Sequence, residues 1–439
     1  MSRVWSELRR YPPAVAGLAI IGLLVATSIY TVIAVPYGEA IRLWRGGEGV
    51  WSENPRNARP IWFNLLPGIE LPRTITVSSQ GAPRRVEAVG GGVNQVTMPL
   101  AFDFPYYTFP SELAVFFDAA YAQRAPHVVL TWQPPDGSQI RLGEFSVEPH
   151  GIYRISSDER LRQTLGGPPD VVLFSAPAAP QHPLRGRYTL TITGFLFEQS
   201  AHLDARLVVY GRAHGLAGTD DQRRDLMIAL LWGTPVAMAF GLLAAVGSTV
   251  STLVIAAIGV WYGGWVDGII QRITEVNLIV PAVPILIMIG TLYSRSLWII
   301  LSVVILLSVF AGTKTYRALF LQVKESPYIE AARAYGAGNL RIVLAYMLPR
   351  AVPVLLPQFV TLIPSFVFLE ATLDIVGLGD PLLPTWGKVL DDAYRAGALF
   401  GGYYYWVLQP AALLMLSGLG FAMLGFALDR VFNPRLREL

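Results

Sequence analysis

Cysteine is absent from this 439-residue sequence, and charged residues make up only 15% of it. Without cysteine the chain can form no disulfide framework, no thiolate metal site and no cysteine nucleophile. A soluble domain carries about 25% charged residues, so this scarcity, together with 53% hydrophobic residues, argues against an ordinary soluble globule. The net charge of +3 is too small to indicate a nucleic-acid partner.

The few charged residues are unevenly distributed. Residues 37–225 contain 37 of the 65 charged side chains and all five histidines. The rest of the chain is therefore much more apolar than the average, and the two parts must lie in different solvents.

Six apolar runs outside that segment are candidate membrane spans. The first, residues 13–35, has roughly the 20 apolar residues that a bilayer core of about 30 Å requires, and it is too long for a signal-peptide core. The others cover residues 234–260, 276–293, 297–311, 351–369 and 405–428. Several contain proline, which predicts either kinks absorbed by neighbouring helices or helices broken around a pathway.

The charges that flank these runs assign an orientation. The loop 312–350 has six basic residues against two acidic ones, whereas the loop 373–404 is mainly acidic. Further basic residues precede the first span and follow the last, namely Arg3, Arg9, Arg10, Arg430, Arg435 and Arg437. Because basic loops stay in the cytoplasm, both termini and residues 312–350 are predicted to be cytoplasmic, and residues 37–217 to lie outside.

Residues 37–217 contain no run long enough to span a membrane, and from residue 73 onward they are rich in short β-type runs. These cover residues 74–79, 127–132, 140–147, 170–175, 187–197 and 205–211, with Gly- and Pro-rich turns between them. Leu190 and Ile192 alternate with threonines, as a half-buried strand requires. The pattern predicts a β-sandwich or jelly-roll domain, after an irregular stretch at residues 37–72.

The polar residues of this segment form no recognisable site. The five histidines lack metal-ligand spacing, the aspartates match no EF-hand pattern, and no nucleophile elbow or carboxylate pair is present. We therefore predict no catalytic residue, no metal site and no cofactor bound by this chain.

A short helix is predicted in the basic loop 312–350. Ser326 can cap the amides of a first turn, Pro327 supplies the preset φ of the first helical position, and Gly336 or Gly338 can end the helix in a left-handed cap. A short helix with little side-chain bulk can sit end-on in the groove of a partner. An ordinary interfacial helix is the alternative.

This loop resembles the EAA loop of ABC importer permeases. The positions that carry the resemblance are Glu330, Ala331, Ala332, Gly336, Ile342, Leu348 and Pro349. In that family the loop forms the coupling helix that docks onto the ATP-hydrolysing subunit, so the resemblance implies this role here.

Further stretches resemble motifs of the oligopeptide, dipeptide and nickel branch of the family, in the same order. They are similar to its GTD…GRD, YxGGxxD…R and GLG…PxWG patterns. The matching residues are Gly218, Thr219, Asp220, Asp225, Gly263, Gly264, Asp267, Arg272, Gly377, Gly379, Trp386 and Gly387. Three positions depart: Arg223 stands where the motif has glycine, Tyr346 where histidine is usual, and Glu275 where aspartate is usual.

The apolar runs and the resemblance together predict a six-helix, all-α membrane domain, and the β-type runs predict a large β-sandwich-like domain inserted outside the membrane between helices 1 and 2. Residues 1–36, 37–217 and 218–439 are the predicted parts. The sequence lacks GxxxxGK[ST], so ATP and magnesium are expected on two partner ATPase subunits. A second permease subunit, most simply a different chain, an extracytoplasmic binding protein and membrane lipid are the other expected partners. Nucleic acid is not expected.

Two other classes of function compete with a permease of the cytoplasmic membrane. A membrane-anchored binding or sensor protein would use the β domain to detect a ligand, but it would need only one span. An integral membrane enzyme would need acid–base groups within the spans, and Glu370 is the clearest candidate. The substrate cannot be identified from the sequence.

Overall fold

The computed structural model describes residues 11–176 and 179–432. They divide into two compact units, a helical unit formed by residues up to Arg45 with those from Ile228 onward, and a β-rich unit, Gly46–Met227. The basic residues used above at positions 3, 9, 10, 435 and 437 lie outside the described residues.

The limits of the β-rich unit differ from the predicted residues 37 and 217. Tyr37–Arg45 forms a helix whose Ala40 is buried with Trp232 in the helical unit. At the other end, Thr219 is hydrogen-bonded to the backbone of Pro55 and Ala58, which places it in the β-rich unit. Both boundaries are set by these tertiary contacts, which composition does not reveal.

The helical unit begins with two helices, α1 (Pro12–Ala34) and α2 (Tyr37–Arg45). The chain then passes through the β-rich unit, which contains three short helices, α3 to α5, described with that unit. The helical unit continues with α6 (Leu226–Tyr262), α7 (Gly264–Ile279), α8 (Ala282–Leu292), α9 (Leu297–Val309) and α10 (Thr313–Lys324). The last group is α11 (Pro327–Ala334), α12 (Asn339–Arg341), a π-helical turn (Ile342–Met347), α13 (Leu348–Leu373), a second π-helical turn (Asp374–Leu378), α14 (Trp386–Arg395) and α15 (Tyr404–Phe432).

Four described helices are long and apolar enough to cross a membrane, and the number reaches six if each of two bent pairs is one span. The first pair, α7 and α8, bends by 80° where Pro281 precedes α8, because proline cannot continue the hydrogen-bonded ladder of α7. The second pair, α9 and α10, bends by 52°. The remaining prolines in long helices, at positions 235, 353, 357, 364 and 410, lie inside continuous helices.

Close helix packing joins the first and last helices of this unit. A Cβ atom at Gly17 of α1 would lie 2.7 Å from the carbonyl oxygen of Gly420 in α15. Such small-residue crossings let membrane helices approach until their backbones are in van der Waals contact.

The β-rich unit consists of antiparallel sheets around one core. In chain order, strands β1 to β11 are Ile75–Ser78, Arg85–Gly90, Val93–Phe104, Glu112–Ala120, His127–Gln133, Ile140–Ser146, Ile152–Arg154, Ser175–Ala176, Ala179–Pro183, Gly186–Leu196 and His202–Tyr210. A four-stranded sheet has the order β1-β11-β4-β7, a five-stranded sheet has the order β2-β3-β10-β5-β6, and β8 pairs with β9. Three short helices belong to this unit: α3 (Gly47–Trp51), α4 (Glu159–Leu165) and α5 (Pro169–Val172).

The core of this unit contains the inward-facing residues of both larger sheets. Leu190 pairs with Trp132 on one side and Leu100 on the other, and Ile192 pairs with Leu130 and Met98. All are buried. The alternation predicted for this strand is confirmed.

Five of the six predicted β runs contain a strand, and the run at residues 170–175 was predicted wrongly. Its Val171 and Val172 belong to helix α5, which starts at Pro169, and only Ser175 begins a strand. Proline at the first helical position supplies the φ angle that a helix needs, so the two prolines before the run favour the helix. Strands β2, β3, β4, β7 and β9 lie outside the predicted runs.

Candidate functional site

The predicted short helix of the basic loop is α11, Pro327–Ala334. The side chains of Ile329 and Ala332 pack in a buried cluster, while Glu330 and Ala331 are exposed on the opposite side of the helix. Ser326 holds the N-cap position without a side-chain cap, because its hydroxyl donates to the Gln322 carbonyl at 3.2 Å instead. The capping role predicted for the Ser326 side chain is therefore wrong, although the start of the helix is right.

Gly336 ends this helix in the left-handed conformation, with φ of 78°. The Ala337 amide donates to the Ala332 carbonyl at 3.0 Å, and the Gly336 amide donates to the Arg333 carbonyl at 2.9 Å. This pair of bonds is a Schellman motif, which satisfies the last carbonyls of a helix and favours glycine at the left-handed position. Gly338 has an ordinary φ of −67° and begins the next turn, so Gly336 is the cap.

The rest of the EAA-like stretch returns the chain to the membrane helices. Ile342 is fully buried in the same cluster as Ile329 and starts the π-helical turn. Leu348 and Pro349 begin α13, with proline in the first turn, where its missing amide costs nothing. Tyr346 packs partly buried against the cluster.

Two basic side chains hold this loop on the end of α6. The Lys324 ammonium donates to the carbonyls of Val260 and Trp261 at 2.7 and 3.3 Å. These are among the last carbonyls of α6, where a positive charge also interacts favourably with the negative end of the helix dipole. The Arg333 guanidinium lies 4.4 Å from the centre of the Trp261 ring. These contacts join the loop that carries α11 to the C-terminal end of α6.

A further ion pair ties α7 to α10. Asp267 of the YxGGxxD-like motif accepts from Arg317, with Nε–Oδ1 at 2.9 Å and Nη2–Oδ2 at 2.5 Å. Gly263 and Gly264 form the link between α6 and α7, and both have positive φ. Arg272 pairs with Glu275 at 3.2 Å on an exposed surface, so it is not the partner of Asp267. Sequence reasoning did not find Arg317, since it lies 50 residues from Asp267.

The GTD-like residues organise one end of the β-rich unit. Thr219 donates to the Pro55 carbonyl at 2.7 Å, and Asp220 accepts from Nε of Arg224 at 2.5 Å. Burial raises the pKa of Asp220 to about 6, against the opposing pull of Arg224. Gly218 turns the chain with a positive φ, and burial also raises the pKa of Asp225, whose carboxylate accepts from the Met227 amide at 2.9 Å.

Arg223 stands where the family pattern has glycine, and its backbone adopts the left-handed conformation that favours glycine. Its φ is 66°, in the left-handed region that costs other residues about 1–2 kcal/mol. Its buried guanidinium donates to the Asn54 carbonyl at 2.6 Å, pairs with Glu112, and lies 4.5 Å from the centre of the Tyr210 ring. These contacts to three separate parts of the β-rich unit offset the backbone strain.

We expect Arg223→Gly to lower the free energy of unfolding of the β-rich unit by about 1–3 kcal/mol, because it leaves Glu112 and the Asn54 carbonyl without this partner. Arg223→Ala should lose about 1 kcal/mol more, since alanine keeps the backbone strain that glycine relieves. Pulse proteolysis of the whole chain in a urea series, scoring cuts within residues 46–227, measures both variants. Equal stability of the two variants would show that the backbone carries no strain.

The GLG-like and PxWG-like motifs pack against each other at the end of α13. Trp386 is fully buried, its indole N–H donates to the Leu230 carbonyl at 2.9 Å, and its ring fills the space beside Gly233. Gly387 lies directly on Ala371 of α13. A side chain at any of these glycines would force helices apart.

Asp374 is the buried polar centre of this second cluster. The Thr385 hydroxyl donates to its carboxylate, and Gly379 packs directly on it. Gly377 turns the chain with φ of 87°, and Glu370 lies buried one helical turn before Asp374. Sequence reasoning singled out Glu370 but missed Asp374, whose role depends on Thr385 across the turn.

The structure thus assembles the motif residues into separate groups. The EAA-like loop meets the end of α6, the GLG-like and PxWG-like motifs meet near Asp374, and the GTD-like residues lie in the β-rich unit. Among the described residues there is no group of three His, Cys, Asp or Glu side chains that could hold a metal ion.

Comparison with known proteins gives a consistent result for the helical unit. Residues 241–438 match the family model described as binding-protein-dependent transport system inner membrane component. A dipeptide transport system permease protein of Alkalihalophilus pseudofirmus is 28% identical over 222 residues, which is 50% of this chain and 72% of the relative. An oligopeptide transport system permease protein of Bacillus subtilis is 28% identical over 223 residues, with the same two shares.

A peptidoglycan transport system permease protein of Agrobacterium fabrum is 30% identical over 164 residues, or 37% of this chain and 43% of that protein. The family match and these relatives agree with the apolar helices of a multi-pass protein of the inner membrane. Residues 241–438 therefore match the permease family of ABC importers, and this part of the chain is similar to the dipeptide and oligopeptide permease subunits named above.

Proposed function

We propose that this permease crosses the membrane with six spans and forms one half of a translocation pathway. The pathway moves a peptide-like solute that an extracytoplasmic binding protein delivers. The observation that carries the proposal is α11, which presents exposed Glu330 and Ala331 on a helix anchored through Ile329 and Ala332. A short helix held by two buried side chains suits end-on docking into a groove. The names of the dipeptide and oligopeptide relatives support the solute class.

ATP would be bound with magnesium and hydrolysed by two partner subunits, and a second, different permease would complete the pathway. Closure of the ATPase pair would push α11, and Lys324 and Arg333 would pass the displacement to the end of α6. The helices would then rock between inward and outward access. In this arrangement both termini and α11 lie in the cytoplasm, and residues 37–217 lie outside.

Purification of the tagged chain from its native membrane tests the assembly. We expect an ATPase subunit to be retained in detergent and its activity to rise when loaded binding protein is added. Mass spectrometry of ligand that co-purifies with the binding protein identifies the solute. Consistent absence of an ATPase subunit would favour the anchored sensor instead.

For the β-rich unit we propose contact with the binding protein. Deletion of residues 73–210 can be closed by a short joint, because the Arg212 amide already donates to the Pro72 carbonyl at 2.8 Å and the two cut ends are adjacent. We expect the deleted transporter to assemble and to bind its binding protein at least about tenfold more weakly, a loss of about 1.4 kcal/mol.

The affinity of the binding protein for the reconstituted complex, with a Gly-Ser joint between Pro72 and Gly211, is the measurement. Unchanged affinity in a normally assembled complex would contradict the proposed contact. It would leave the unit as a separate sensor or a structural cap.

A further inference from the structure

The large side chains exposed on the apolar helices are mainly aliphatic or aromatic, as lipid contact requires. Val25 and Ile29 of α1, Leu242 and Val246 of α6, and Leu408 of α15 are examples. One face of α13 departs from this pattern.

Five exposed residues follow one face of α13: Gln358, Thr361, Ser365, Phe368 and Thr372. Their spacing alternates between three and four, which places them in one line along the helix. Four of the five are polar, although residues 351–369 contain no charged residue. We call these five residues the polar face.

The hydroxyl groups of the polar face are satisfied within the helix. Thr361 donates to the Gln358 carbonyl at 2.8 Å, Ser365 to the Thr361 carbonyl at 3.3 Å, and Thr372 to the Phe368 carbonyl at 2.7 Å. Such bonds make Ser and Thr tolerable in contact with lipid, so the hydroxyls alone do not settle what the face contacts.

Gln358 is different, because a primary amide has two donors and an acceptor that no single backbone carbonyl can satisfy. Its side chain is exposed, and the part of the chain that the structure describes provides no hydrogen-bond partner for it. An unpaired amide in hydrocarbon is strongly unfavourable, whereas water or a polar solute satisfies it at no cost. The polar face therefore does not suit lipid.

A groove continues the polar face onto the neighbouring helix. Ser365 and Phe368 border it from α13, and Met415, Gly418 and Leu419 border it from α15, around a volume of about 380 Å³. Gly418 leaves room for the Phe368 ring, since a Cβ there would lie 3.0 Å from that ring. The surface thus combines neutral hydrogen-bonding groups on α13 with an aromatic ring, the small Gly418 and the apolar side chains of Met415 and Leu419.

We propose that the polar face of α13 lines the water-filled translocation pathway and contacts the passing solute. This inference rests on the pathway proposed above and deepens it by naming the lining residues. Neutral hydroxyl and amide groups match the backbone amides of a peptide-like solute, and the absence of charge on the face avoids trapping either terminus of the peptide.

The lack of cysteine makes a direct test possible in the otherwise native chain. Gln358→Cys, Ser365→Cys and Thr372→Cys probe the polar face, and Val25→Cys and Val246→Cys are matched controls at exposed apolar positions of other helices. Each variant is assembled with its partner subunits in proteoliposomes and treated with a charged, water-soluble methanethiosulfonate reagent. Uptake is measured for every variant before labelling.

We expect the three polar-face cysteines to react roughly tenfold faster or more than the controls, because only a thiol in contact with water ionises to the reactive thiolate. Solute-loaded binding protein with ATP should change the rates at the polar face and leave the controls unaltered. Slow labelling of all three, as at the controls, would overturn the proposal and indicate lipid contact.

Slow labelling combined with cross-linking to the second permease would also overturn it and identify a subunit interface. A parent complex that shows no uptake would count against the proposed importer function. The labelling pattern would still report whether the polar face is in contact with water, so the two failures are distinguishable.

Discussion

A Gly336→Val variant is expected to lose up to about nine-tenths of the ATPase stimulation by loaded binding protein. Gly336 has φ of 78°, and valine in this left-handed region costs at least about 1–2 kcal/mol. That strain opposes the Schellman cap of the eight-residue helix α11, whose exposed surface is the proposed docking element. A shift of 1.4 kcal/mol in the equilibrium between formed and frayed helix is a factor of ten.

Gly338→Val is the matched control for this experiment. A Cβ atom at either glycine would meet no other atom within 4 Å, so neither substitution creates a clash within the chain. Only Gly336 requires a positive φ. The stimulation ratio of the reconstituted complex is the measurement, and Gly336→Trp, which adds bulk to the same exposed site, should be at least as defective. Equal ratios for the two valine variants in normally assembled complexes would contradict the coupling role.

Gly387→Ala is expected to destabilise the helical unit by about 3 kcal/mol, at the upper end of the usual cost of overpacking. The added Cβ would lie 2.8 Å from both the Cα and the carbonyl oxygen of Ala371, which are backbone atoms and cannot move aside. Helix α14 would have to shift, and the hydrogen bond from Trp386 to Leu230 would be strained with it. In a unit of this size the loss corresponds to a fall in melting temperature of roughly 6–12 °C.

Gly268→Ala provides the comparison, since it is the same substitution inside helix α7 with nothing within 4 Å. Alanine is the better helix former by up to about 1 kcal/mol, so this variant should melt no lower than the parent. Thermal unfolding in detergent, followed by size-exclusion chromatography of the heated samples, measures both variants. Equal melting temperatures would show that the contact between Gly387 and Ala371 is not close.

Local chemistry made much of the fold predictable from the sequence. The positions of the apolar helices follow from runs without charge, and the start and end of α11 follow from Pro327 and Gly336. The chain order of the motifs likewise predicted the permease family. Each of these features depends on neighbouring residues only.

Features that depend on distant residues were not predictable. Arg317 cannot be assigned to Asp267, nor Lys324 to the carbonyls of α6, until the helices are packed. Arg223 stood out only as a departure, because its partners lie far away on Asn54 and Glu112. The misassigned run at residues 170–175 shows a further limit, since a short apolar segment has no period long enough to distinguish strand from helix.

The length of α6 has a mechanical consequence. Its 37 residues make a rod of about 55 Å, far longer than a hydrocarbon core of about 30 Å. No charged residue occurs between Asp225 and Asp267, so neither end suits bulk water. The protein itself shields parts of both ends: Leu230 and Gly233 pack against Trp386, and Trp261 lies under Arg333.

Helix α6 therefore forms one continuous rod from its contact with α11 to Pro235, beside the Trp386 cluster. A movement of the Trp261 end of α6 would reach the Trp386 cluster, about 40 Å away, if the helix tilts or slides as one body. No series of small side-chain rearrangements is then needed between Trp261 and the Trp386 cluster. Pro235 is the only proline within the rod, and it lies beside the Trp386 cluster, so bending is concentrated at the far end of the rod.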